Sequence, residues 1–352
     1  MSAPFPSVRA VRRPLPHALR EAACIPRVRY GEAMRSTDDH ERPVPGGAID
    51  TSRTSGVEPT VARDGPHDAV PAERASLPDS THIGRVFLRC RDLPACVAFY
   101  RDALGLEVLE RSAETTVLGV GGRALVGLIA APDARSAGRA PGLYHVALLL
   151  PDRASLGAFL AHAVRTRVAL QGASDHGVSE AIYLADPEGN GIEVYRDRPR
   201  EAWPRRGERV AMGTGPLDGE GLLAEAGEVA PFRAPAGTSV GHVHLRVADA
   251  AAAAARYRDD LGMDVTQADF PGARFLSAGG YHHHVGVNEW ETRGAPARQP
   301  HTLGLAWFEV VVPDDGAREA AEARLRAAWE EREHARFVDA DGIGLRLVGD
   351  RP

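Results

Sequence analysis

The chain has 352 residues and a net charge of -6 at neutral pH, with both signs interspersed, which argues against a nucleic-acid footprint and for a small-molecule role. It contains no run of about twenty apolar residues, and so no candidate membrane-spanning helix. Three cysteines, Cys24, Cys90 and Cys96, occur without a CxxC pair; they suggest neither a disulfide framework nor a thiolate metal site, and a reducing cytoplasm fits them best.

At this length two domains, or one domain with a tail, are expected. Residues 1–80 are rich in Arg, Pro, Ser, Gly and Asp and keep no period of 2 or 3.6 residues, which predicts a disordered extension. Arg9, Arg12, Arg13 and Arg20 precede the first acid, Glu21, as in a targeting sequence, but no apolar core with a small-residue cleavage site accompanies them. Met34 is an alternative start.

From Ile83 the pattern becomes ordered. Alternating apolar residues predict a strand, Asp92 can cap a helix, and the helical stretch stops at Leu104-Gly105. Short β-type runs, a Gly121-Gly122 turn and the strand ALVGLIA complete a first unit. A second unit opens at GLYHVALLLPD (142–152), continues through a helical ASLGAFLAHAV and closes at DPEGNGIEVY (186–195). Residues 200–239, with several Pro and Gly, read as a connector. A third unit repeats the first: residues 83–108 align without gaps to 240–265, and 13 of the 26 positions are identical. It ends with a Gly279-Gly280 turn and a strand HHHVGVN. The fourth unit opens at GLAWFEVVVPD (304–314), continues through REAAEARLRAAWEE and closes at DADGIGLRLV (339–348). The expected fold is therefore α+β, with four βαβββ units in two tandem pairs, 81–199 and 240–352.

Four such units, with FYRDALGLEV in the first and DPEGNGIEVYRDRP in the second, resemble the vicinal-oxygen-chelate superfamily of glyoxalases, bleomycin-resistance proteins and extradiol dioxygenases. The runs GLYHVALLLPD, SDHGVSEAIYLADPEGNGIEVYRDRPR, GHVHLRV and SAGGYHHHVGVNEW are similar to bacterial catechol 2,3-dioxygenases over roughly residues 82–350. The resemblance implies curled mixed sheets forming a cup around a metal, with ligands on the first and last strands of the units.

Placed on that frame, the units differ. Unit one offers Arg85 and an apolar strand near Val126, and unit four offers Trp307 and Arg346, which cannot ligate a cation. Unit two offers His145 and Glu193, and unit three offers His242. Pairing units two and three would collect two histidines and a carboxylate, the ligand set of non-haem iron(II) oxygenases. Manganese(II) could take the place of iron. His244 shares a strand face with His242, but His242 aligns with the family's metal position and with Arg85. A buried Glu193 would need a cation or hydrogen bonds.

Strand alternation would put His282 and His284 on one face and His283 on the other. The resemblance implies an acid–base histidine on this strand, best matched by His284, and contacts to substrate and oxygen from His176 and Tyr183. His282 and His244 are expected to touch the substrate. The implied reaction is extradiol cleavage of a small aromatic diol by dioxygen, in a homo-oligomer. Two alternatives stay open: a glyoxalase-like isomerase or thiol-transfer enzyme, and a metal-free binding protein of the same fold.

Overall fold

The computed structural model describes residues 76–207, 209–227 and 231–350, so the expected N-terminal extension lies outside the described residues except at its end. There Leu77 is buried and its amide donates to the Gly262 carbonyl.

Unit one comprises β1 (His82–Cys90), α1 (Leu93–Asp102), β2 (Glu107–Arg111), β3 (Thr115–Val120) and β4 (Arg123–Ala130). Unit two comprises β5 (Gly142–Leu150), α2 (Arg153–Thr166), β6 (Leu170–Asp175), β7 (Ser179–Ala185) and β8 (Gly191–Asp197). The connector holds the small hairpin β9 (Arg205–Arg206) and β10 (Arg209–Val210), then α3 (Gly219–Glu225). Unit three comprises β11 (Ser239–Arg246), α4 (Ala250–Arg256), β12 (Asp264–Gln267), β13 (Ala273–Ser277) and β14 (Val285–Asn288). Unit four comprises β15 (Gly304–Val311), α5 (Asp315–Ala328), β16 (Glu330–Arg332), β17 (Arg336–Val338) and β18 (Gly344–Val348). The α+β class and the four βαβββ units are as the sequence implied.

Each unit's helix begins at an aspartate whose carboxylate accepts from amides of its first turn: Asp92 from Ala95, Asp152 from Ser155, Asp249 from Ala251 and Ala252, and Asp314 from Ala317. Each cap stabilises its helix by about 1 kcal/mol. Gly105 and Gly262 have φ of 68° and 97° and stop the chain after the repeated helices, in a conformation that disfavours a Cβ.

The strands form two eight-stranded sheets, ordered β16-β17-β18-β15-β1-β4-β3-β2 and β12-β13-β14-β11-β5-β8-β7-β6. In both, the first strands of two units pair antiparallel at the centre, β1 with β15 and β11 with β5. Each first strand also pairs in parallel with the last strand of its own unit. Units one and four therefore share one sheet, and units two and three share the other. Each tandem pair contributes one unit to each sheet. The central strands are covered on both faces, which is why β15 is buried throughout and β11 almost so.

Candidate metal centre

Three adjacent strands of the second sheet, β11, β5 and β8, build the centre. Ala147 on β5 pairs with His242 on one side and with Glu193 on the other. Its methyl group leaves the space between them open. His145 lies two residues earlier, on the same face of β5. The three side chains converge: His145 Nε2 is 2.9 Å from Glu193 Oε2, His242 Nε2 is 3.2 Å from the same oxygen, and the two nitrogens are 3.3 Å apart. All three residues are buried. Donors about 2.1 Å from one ion stand roughly 3.0 Å apart when their bonds are at right angles, so the edges suit three ligands on one face of an ion. Two imidazole nitrogens and a carboxylate oxygen facing one another are also a donor set that a divalent cation would compensate.

The electrostatics keep Glu193 and His242 in ligand form. Burial works against the Glu193 carboxylate, but His242 and His145 together hold its pKa well below the usual range. Burial, only partly offset by Glu193, lowers His242 to about 4, so its imidazole is neutral at neutral pH.

Tyr183 and His176 lie at one side. The Tyr183 hydroxyl donates to His176 Nε2 at 2.7 Å, because His176 Nδ1 donates to the Gly213 carbonyl at 2.8 Å. The Tyr183 ring is 5.8 Å from that of His145. His244, opposite His145 across the β5–β11 pair, has its ring 5.0 Å from it. Its Nε2 is buried without a hydrogen-bond partner. Burial, then His145 and His242, push its pKa well down.

The histidine run differs from expectation. His282, His283 and His284 precede β14 instead of lying in it, so strand alternation does not govern them. His283 comes beside the cluster, with its ring 4.0 Å from His242. His284 instead stacks on Tyr281 at 4.9 Å, and its Nδ1 accepts from the Ala278 amide. Burial, then His282, lowers it to about 3. His282 uses both ring nitrogens, bonding Asp197 Oδ1 through Nε2 and His283 Nδ1 through Nδ1. It therefore has no nitrogen left for a substrate.

Several contributors escaped the sequence reading. Tyr195 and Asp197 follow Glu193 on the same face of β8, and period-2 alternation from Glu193 could have flagged them. The Tyr195 ring is 4.9 Å from His242 and its hydroxyl meets Tyr281. Gly241 leaves room for it, since a Cβ there would lie 1.8 Å from the Tyr195 oxygen. From the connector, Trp203 packs 5.3 Å from His282, and Gly213 fixes His176. Neither carries a local signal.

A family model described as Glyoxalase/Bleomycin resistance protein/Dioxygenase superfamily matches residues 82–194. Catechol-2,3-dioxygenase of Bacillus subtilis (strain 168) is 43% identical over 264 residues, covering 72% of this chain and 90% of that protein. Among solved structures, a putative dioxygenase from Bacillus subtilis subsp. subtilis str. 168 aligns with a TM-score of 0.52 at 13% identity, over 80% of this chain and 87% of the other. Glyoxalase I from Zea mays aligns with a TM-score of 0.47 at 18% identity, over 77% and 92%. With 43% identity along 264 residues that span 90% of that catechol-2,3-dioxygenase, the chain belongs to the glyoxalase, bleomycin-resistance and dioxygenase superfamily.

Proposed function

We propose that the protein is an iron(II)-dependent extradiol dioxygenase that opens a catechol-type ring beside its vicinal diol. The observation carrying this reading is the convergence of His145, Glu193 and His242 within 3.3 Å of one another, the two-histidine, one-carboxylate set of non-haem iron oxygenases. The similarity to a catechol-2,3-dioxygenase supports it. Manganese(II) fits the same donors.

His145, Glu193 and His242 would hold the ion. An ion held there would supply a common site for the diol and dioxygen and a path for electron density between them. His283 would accept a phenolic proton and return it later, because burial, then His242, keeps its imidazole neutral. This role moves from His284 to His283 on geometry. The Tyr183 hydroxyl, whose hydrogen is committed to His176, would accept a hydrogen bond from a substrate hydroxyl. Tyr144, Trp290 and Phe275 pack around His244 at 5.1 to 5.7 Å, an aromatic wall suited to a flat ring.

The test is anaerobic reconstitution with iron(II), then catechol or 3- or 4-methylcatechol in air. The yellow ring-fission product should appear with iron and be absent for His145→Ala. Iron uptake without colour would reject these substrates, and no metal uptake would favour a binding protein. A glyoxalase-type site normally uses a fourth protein ligand, whereas three residues form the group here among the described residues. No described helix is long and apolar enough to cross a membrane. We place the protein in the cytoplasm as a homo-oligomer, which light scattering on the purified chain would test.

A further inference from the structure

We infer that Asp197 and His282 are positioning residues that set which ring nitrogen of His283 carries its hydrogen. The inference rests on the reading of His283 as the group that handles the substrate proton. A hydrogen-bonded chain runs from Asp197 Oδ1 to His282 Nε2 at 2.9 Å, then from His282 Nδ1 to His283 Nδ1 at 2.8 Å. Its polarity follows from the chemistry of its members. A carboxylate only accepts, so His282 Nε2 must donate. The Nδ1 of a neutral His282 is then a bare acceptor, and His283 Nδ1 has to supply the hydrogen. His283 is left with Nε2 as its basic nitrogen, while its ring lies against His242.

The surroundings hold this chain in place. Asp197 Oδ2 accepts from the Tyr281 hydroxyl at 2.9 Å, and Tyr281 in turn accepts from Tyr195 at 2.8 Å. The His282 ring lies 4.0 Å from that of Tyr281 and 5.3 Å from that of Trp203, and it is fully buried. The carboxylate at the far end is 24% exposed, so the anchor is wet while the imidazoles are dry. Asp197 shares its strand face with Glu193. One strand thus carries both a ligand of the proposed metal and the group that orients the neighbouring base, as outer-shell carboxylates do for other histidines.

The experiment is a long-range proton–nitrogen correlation spectrum of the full chain labelled with 15N-histidine, recorded without metal and with diamagnetic zinc(II). Peaks are assigned with His282→Gln and His283→Gln. His283 should be protonated at Nδ1 and bare at Nε2 in both samples. A predominant Nε2–H form, as a doubly protonated His282 would impose, overturns the proposal. Asp197→Ala and His282→Leu should each turn the single tautomer into a mixture, and an unchanged His283 in either variant also overturns it. The wild-type spectrum decides the polarity even where a variant fails to fold. In the iron-loaded protein, Asp197→Ala should lower kcat roughly 10–100-fold with KM little changed. Absence of ring cleavage in the wild type would count against the proposed reaction and leave the tautomer result standing.

Discussion

The two sheets place different chemistry on equivalent backbone. In the sheet of units two and three, the row across the central strands reads His242, Ala147, Glu193. In the sheet of units one and four, the corresponding row reads Arg85, Glu309, Arg346, with Glu309 paired directly with Arg346. The first row leaves a gap over a methyl group, bordered by nitrogen and oxygen lone pairs. The second fills that gap with a carboxylate that takes a bidentate pair from Arg85 at 2.7 and 2.8 Å. Trp307, in the place of His145, stacks on Phe87 at 4.4 Å and lies under the Arg346 guanidinium at 4.6 Å.

The glycines are parallel too. A Cβ at Gly127 would meet the Phe87 ring at 2.3 Å, and one at Gly286 would meet the His244 ring at 3.0 Å. Each gives room to the ring on the neighbouring first strand. The fold thus fixes where a central site can stand, and a few side chains decide whether it offers lone pairs to a cation or carries its own cations.

The sharpest way to break this comparison is to give the first row the contents of the second. Ala147→Glu should abolish iron binding while the chain still folds, as should His145→Ala, read as metal content and as loss of the thermal stabilisation that iron gives the native state. Retained stoichiometric iron in Ala147→Glu would remove the gap from the explanation. Next in size, Trp307→Ala should cost about 3–5 kcal/mol in denaturant unfolding without changing iron content, because it empties only the cup of units one and four.

Arg85→Ala takes the bidentate partner from the buried Glu309, and a loss of about 3 kcal/mol is expected. If Arg85→Ala were neutral, the ion pair would not be what closes that cup.

The smallest expected effect concerns Asp339, which opens the last turn of unit four as Asp186 does in unit two. Burial raises the Asp339 pKa from 3.8 to about 7. The native state therefore binds more protons than the unfolded state between these values, and stability falls as pH rises through them. From pH 5 to 8 this group should remove roughly 2–3 kcal/mol. Asp339→Asn should flatten that part of the pH profile, measured by urea unfolding at both ends.

Much of the site was legible because its signals are local. The repeat located two aspartate caps, Asp92 and Asp249, and two helix stops, and each reports only on its own turn of chain. His145, Glu193 and His242 could be singled out because the family resemblance implies ligands on first and last strands, and the repeat aligns those strands so that the units can be compared. A strand's period of two overreached at His282, His283 and His284. A run of histidines after a glycine turn does not reveal where the strand starts, and the structure starts it at Val285, which brings His283 and not His284 to His242.

The sequence by itself therefore determined the units and the caps and stops of the repeated helices, since these follow from side-chain alternation and hydrogen bonding within a few residues, while the family resemblance pointed to His145, Glu193 and His242 as candidate ligands. Only the tertiary structure decided that the units pair one with four and two with three, that Ala147 lies between His242 and Glu193, and that Gly213 and Trp203 of the connector reach His176 and His282. Those contacts join residues far apart in the chain, and they depend on which buried strand edges meet, a choice made by the packing of the whole core.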